Sequence, residues 1–124
     1  LFSTYAVWSE QRRYLKLYLL FHFSDPMSLL LIRACKTMCH EIGHMFGLRH
    51  CVHFLCLMNG SNHLAESDSR PNTLCPICLR KLQFVCKFDI ISRYEAMRDF
   101  WEEHGCVEQT VWLNLRLKAL KAMK

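Results

Sequence analysis

The chain has no internal repeat, no low-complexity run and no glycine-rich loop that could cradle a phosphate; its 4 glycines are scattered through 124 residues. Solenoid architectures and P-loop nucleotide chemistry are thereby excluded. It also lacks the ~20 consecutive apolar residues that a membrane span requires. The aromatic stretch from Tyr14 to Phe23 is too short and is broken by Lys16 and His22. The opening residues show none of the charged, apolar and small-residue succession of a signal peptide. No basic stripe or aromatic platform accompanies the cysteines, and 16 basic against 11 acidic residues leave only a mild excess of +5. A nucleic-acid-binding zinc module is therefore set aside, and no membrane partner is expected.

What is present is enough for one domain. At 124 residues and 14.7 kDa the chain can bury a modest core but not two. A hydrophobic share of 52% excludes disorder over most of its length. A chain that begins at Leu1 and reaches its best motif at His40 reads as the carboxy-terminal portion of a longer product.

That motif runs from His40 to His50, HEIGHMFGLRH. In a helix, His40 and His44 lie one turn apart on one face, so both imidazoles reach a single metal. Glu41 flanks that face: too displaced to share the ligand position, close enough to act as general base on a metal-activated water. Gly47 in the left-handed region stops the helix and reverses the chain, which lets His50 swing back as a third ligand. Three neutral imidazoles leave one tetrahedral position open, the mark of a catalytic zinc. A lone His-Glu-x-x-His is also an ordinary solvated helical face. With Gly47 and His50 in register, however, a chance match falls to the order of one in a hundred thousand for so short a chain. The extended pattern is the metzincin signature.

Eight cysteines in a short chain fit a secreted disulfide scaffold or a reduced metal site. Cys51 and Cys56, then Cys75 and Cys78, form two close pairs, the usual arrangement for a structural zinc; disulfide pairing is the competing use of the same spacing. His53 could replace one thiolate. Cys35 and Cys39 are expected to be buried apolar residues.

Together the His40–His50 motif, Cys51 directly after the third histidine, Cys56, Met58 and Cys75-Pro76-Ile77-Cys78 resemble the archaemetzincins, a metzincin family. Arg49, the run Leu57 to Leu64, Arg70-Pro71 and Leu79 to Leu82 are similar to its animal members, densely from Leu29 to Phe84 and moderately to Trp101. The resemblance implies a zinc metallopeptidase acting on peptide or protein substrates. His40, His44 and His50 would hold the catalytic zinc, with Glu41 as base. Cys51, Cys56, Cys75 and Cys78 would hold a second, structural zinc, and Met58 would form a methionine turn beneath the catalytic site. By itself Met58 is more often core filler. The family fold is α+β, with an amino-terminal sheet walling the cleft. Without that half, the other reading is a catalytically weak zinc-binding interaction module. Reduced thiolates place the chain in an intracellular compartment, cytosolic or nuclear.

In chain order, residues 1–23 are an unassigned apolar segment that could supply a strand. Residues 24–47 hold the active-site helix, opened by Ser24-Asp25-Pro26 and running from Pro26 to Phe46. Leu30, Ala34, Met38, Ile42 and Met45 form its apolar face, widened by Leu31, Cys35 and Phe46, with Arg33 and Lys36 off it. Residues 48–84 are zinc-bound loops and a short helix from Cys78 to Phe84; turn formers between Cys51 and Leu74 predict little regular structure there. Glu66, Asp68 and His63 are surface residues, His63 a weak candidate for substrate contact. Residues 85–124 are packing helices, Asp89 to His104 stopped by Gly105, and Thr110 to Met123. Ile90, Ile91, Tyr94, Met97 and Trp101 line the first; Val111, Leu115 and Met123 line the second, with Arg116, Lys118 and Lys121 outside.

Overall fold

A computed structural model describes residues 25–124. The strand considered near the amino end falls on residues outside these. Five helices follow in order: α1 (Pro26–Met45), α2 (Leu64–Ser69), α3 (Pro76–Cys86), α4 (Ile90–Glu103) and α5 (Val107–Ala122). Among the described residues there is no strand, so the observed architecture is helical. No helix among them is long and apolar enough to cross a membrane. The chain divides into two compact units, one of Leu29–Lys87 and one holding Phe88–Lys124.

α1 begins where its capping signal places it. The Asp25 carboxylate accepts from the Met27 amide at 3.1 Å and the Ser28 hydroxyl at 2.7 Å, satisfying first-turn donors. Its end is a Schellman turn: Leu48 N–H donates to Gly43 O at 3.0 Å and Gly47 N–H to His44 O at 3.0 Å, with Gly47 at φ +87°. Only glycine holds that φ without a Cβ penalty of about 1–2 kcal/mol.

The inward face of α1 differs from the expected one. Ile32, Lys36, His40 and Gly43 are buried, whereas Leu30, Met38, Ile42, Met45 and Phe46 are exposed. The reason lies in polar partners supplied from far along the chain. The Lys36 ammonium donates to Ser67 O at 3.1 Å and Arg70 O at 2.8 Å, carbonyls at the carboxyl end of α2. There its charge also meets the negative end of that helix. Arg33 grips Asp68 bidentately at 3.0 and 2.6 Å, so Asp68 is the partner of an ion pair. Cys35 is half-buried and Cys39 exposed, against the expectation that both are buried.

The stretch between Cys51 and Leu74 is irregular apart from α2. His63 caps that short helix, its Nδ1 accepting from the Glu66 amide at 3.3 Å. α3 starts two residues earlier than expected because the Cys75 side chain caps it and Pro76 takes the first turn, where a missing N–H costs nothing.

In the second unit α5 returns alongside α4 through a turn at Gly105, φ +68°. Tyr94, Trp101, Trp112, Leu113 and Leu117 are buried, with Tyr94 edge-on to Trp112 at 6.0 Å. Lys121 pairs with Glu95 at 2.7 Å on the surface. The α5 stripe is corrected as well: Val111, Leu115 and Met123 are exposed, and the buried side carries Trp112, Leu113, Arg116 and Leu117. Arg116 is buried there down to its guanidinium, whose Nη1 has no hydrogen-bond partner among the described residues.

Candidate metal centres

Two groups of metal-ligating side chains converge in the Leu29–Lys87 unit. The first is His40, His44 and His50; the second is Cys51, Cys56, Cys75 and Cys78. Within each, every ligand atom lies within 4.8 Å of the others. The seven residues singled out by spacing are thus the seven brought together, and His53 joins neither group.

In the histidine group, His40 and His44 come from α1 one turn apart, and the Schellman turn carries the chain back so that His50 meets them. His44 Nε2 is 3.1 Å from His40 Nε2, and His40 Nε2 is 3.3 Å from His50 Nε2. The opposite nitrogens fix the proton positions. His40 Nδ1 lies 2.8 Å from Leu57 O and His44 Nδ1 lies 2.7 Å from Leu48 O. A carbonyl only accepts, so both Nδ1 atoms carry the proton and donate. The two Nε2 lone pairs then face each other, an arrangement that repels unless a cation lies between them. Zinc–nitrogen bonds of about 2.0–2.1 Å in a tetrahedron set nitrogens about 3.3 Å apart. The observed separations are of that size, so the residues present fit zinc.

Burial holds the His40 imidazole below its ordinary range, and the neighbouring Arg70 and His44 act the same way against the Leu57 carbonyl. The ring is therefore kept neutral, the form in which it binds a metal. No fourth His, Cys or carboxylate among the described residues joins the three. Glu41 is exposed and stands beside the group, not within it.

Met58 is fully buried and packs against α1 at Gly43. A Cβ on Gly43 would come 2.6 Å from Met58 Sδ, so the helix approaches the methionine only because position 43, between the two helical histidines, has no side chain.

The thiol group is buried throughout. Cys51 Sγ is 3.8 Å from Cys75 Sγ, the edge expected of a tetrahedron with zinc–sulfur bonds of about 2.3 Å. Backbone amides point at the sulfurs: Met58 N and Cys75 N donate to Cys56 Sγ at 3.4 and 3.2 Å, and Cys78 N to Cys75 Sγ at 3.4 Å. The four thiols lie close enough to compete for protons. The hydrogen bond from Cys56 pulls Cys75 down to about 5 while that sharing pushes Cys56 up, and burial pushes Cys78 up to about 12. A dication removes this competition by accepting all four sulfurs as thiolates. None of the eight cysteines is joined in a disulfide.

Several supporting groups are not legible as site residues in the sequence. Leu48 and Leu57 act through carbonyls, which residue identity does not mark. Asn59 bridges the loop: its Oδ1 accepts from Cys56 N at 2.8 Å, and its Nδ2 donates to Cys51 O at 2.9 Å and Phe54 O at 2.8 Å. Buried Arg70 places Nη1 3.2 Å from His40 Nδ1 and donates to Asn59 O. Because His40 Nδ1 already donates to Leu57, the guanidinium proton is directed to the Asn59 carbonyl.

Comparison with known proteins points the same way. The model for Peptidase family M54 matches residues 7–84. Archaemetzincin-2 of Rattus norvegicus is 52% identical over 88 residues, 71% of this chain and 24% of the relative. Archaemetzincin-2 of Macaca fascicularis is 60% identical over 77 residues, 62% of this chain and 21% of the relative. Archaemetzincin-1 of Homo sapiens is 40% identical over 89 residues, covering 66% and 18% respectively. The chain thus spans about a quarter or less of the curated relatives it matches. No solved structure matches it.

Proposed function

Since this chain belongs to peptidase family M54, the archaemetzincins, we propose that it carries the metal centres of a zinc-dependent metallopeptidase. In this reading His40, His44 and His50 hold a catalytic zinc, and Cys51, Cys56, Cys75 and Cys78 a structural one, two ions per chain. The observation that supports it most is the convergence of Nε2 atoms at 3.1 and 3.3 Å while their Nδ1 protons are committed to carbonyls. Lone pairs so placed favour a cation between them.

Zinc, when bound, supplies Lewis acidity at the open side of the three imidazoles. Glu41, exposed beside His40, takes a proton from the water that attacks the scissile carbonyl and returns it to the leaving amine. Leu57 and Leu48 keep the proton on Nδ1 of their histidines, so each Nε2 stays a donor of electrons throughout. Met58 under Gly43 supports the helix from below as the methionine turn. The substrate is a peptide or protein, and the α+β fold with its sheet beside the cleft belongs to the complete family architecture. A location inside the cell, in cytosol or nucleus, goes with this reading, because thiolate zinc ligands suit a reducing compartment.

A second reading takes its support from the four buried sulfurs, which would hold a structural ion without any reaction. It is a zinc-binding interaction module with weak or no turnover. Peptidase turnover of the native chain against Glu41→Gln separates the two. Loss of a general base costs roughly 10²–10⁴-fold, so a fall of that size supports the peptidase. Equal residual rates leave the module.

A further inference from the structure

We infer that the thiolate cluster sets the metal affinity of the histidine cluster, with Asn59 as the positioning residue that transmits the effect. This rests on the proposal that both clusters hold metal and adds a direction to it: filling the cysteines assembles the histidines.

The connection is short at every point. His50 is joined by a peptide bond to Cys51, so fixing the Cys51 sulfur fixes the third imidazole's backbone. The Leu57 carbonyl that orients His40 at 2.8 Å is the residue after Cys56. Leu57 N–H in turn donates to Thr73 O at 2.8 Å, two residues before Cys75, and Cys51 N–H donates to Met58 O at 2.9 Å. Two of the three imidazoles are therefore placed by backbone that immediately adjoins a thiolate. Only His44, held by the Leu48 carbonyl at 2.7 Å within the helix-end turn, is independent of the cysteines.

Asn59 makes this stretch behave as one body. Its side chain bonds Cys51, Phe54 and Cys56 together, while its carbonyl takes the guanidinium of Arg70, which lies against His40. The Arg70 carbonyl takes Lys36, one turn before His40 on α1, at 2.8 Å. Between Leu48 and His63 no helix or strand restrains the chain. Side-chain bonds and the sulfurs are what remain to hold it, and a dication that takes all four sulfurs ties Cys51, Cys56, Cys75 and Cys78 to one point. A histidine cluster on a rigid helix would need no such help; this one takes only two of its members from the helix.

Cobalt titration of the metal-free full chain tests this: thiolate-bound cobalt gives a near-ultraviolet charge-transfer band together with visible bands, and the visible band of imidazole-bound cobalt is what remains once the thiolate contribution, scaled by the ultraviolet band, is subtracted. In the native chain the ultraviolet band grows first and the visible band follows. In Cys78→Ser the histidine cluster's cobalt affinity falls roughly tenfold or more, the scale of lost support around a metal. In Asn59→Leu it falls similarly even with the thiolates already filled with cadmium, whose charge-transfer band shows that the loop has folded around them. A smaller fall in Cys78→Ser, or a visible band that saturates before the thiolates fill, overturns the coupling. Cobalt binding at neither cluster defeats the metallopeptidase proposal itself, whereas binding at both without order defeats only the coupling.

Discussion

The segment from Leu48 to Cys75 and the α4–α5 pair are held by different means. The pair buries Tyr94, Trp101, Trp112, Leu113 and Leu117 between two helices, so water exclusion is its main tie, with the Lys121–Glu95 pair at the surface. The segment has only α2 and relies on carbonyl contacts, the Asn59 bridge and four sulfurs. Its deepest side chains are Cys56, Met58 and Cys75, against Leu113 in the pair. A chain that builds a metal site from irregular backbone gains freedom to place ligands and makes its order conditional on the metal. A helical pair carries no such condition.

Removing metal is the strongest way to break the comparison. Structural zinc contributes apparent binding free energies of about 10–16 kcal/mol in small domains. Chelation is therefore expected to strip hydrogen-exchange protection from the amides of Cys51, Leu57 and Asn59 while those of Tyr94 to Leu117 keep theirs. Equal loss in both regions would mean that the segment and the helical pair melt together. The converse change is Leu113→Ala, which leaves a hole in the helical pair. It should cost about 2–5 kcal/mol in denaturant unfolding of α4 and α5, with zinc affinity unchanged.

The two clusters were legible because metal chemistry restricts residue type and spacing together. Seven positions from His40 to Cys78 could be chosen without any structure, and α1 could be bounded by Asp25-Pro26 and Gly47 to within one residue. What was not legible were faces and carbonyls. An apolar pattern on α1 points toward Leu30, Met38 and Ile42, yet the buried stripe contains Lys36 and His40, whose partners are backbone oxygens more than fifteen residues away in the chain. Likewise α5 buries Arg116 and exposes Val111. Counting apolar residues finds a face that water dislikes, not one that distant donors and acceptors have already claimed.

Gly43→Ala sharpens the boundary between helix and loop. The new methyl meets Met58 Sδ at 2.6 Å, so the helix or the methionine must shift, at about 1–3 kcal/mol. The expected signature is a change in the visible spectrum of cobalt at the histidines with the thiolate band unmoved; an unchanged visible spectrum would mean that Met58 does not set the histidine geometry.

The smallest effect lies at the start of α4. Ser92, through its amide and hydroxyl, holds the Asp89 carboxyl below its ordinary 3.8. A lowered folded value means the cap's contribution is full above 3.8 and is lost as pH falls through the folded value. Native chain and Asp89→Ala should therefore differ in unfolding midpoint at neutral pH and converge in acid, and a difference that persists in acid would assign the effect to packing.

Native mass spectrometry of the zinc-loaded chain tests the central claim most directly. Two zinc ions are expected on the native chain and one on His44→Ala, the ion lost being the one among the imidazoles. A native chain that binds no zinc, or a His44→Ala chain that still holds two, would contradict it.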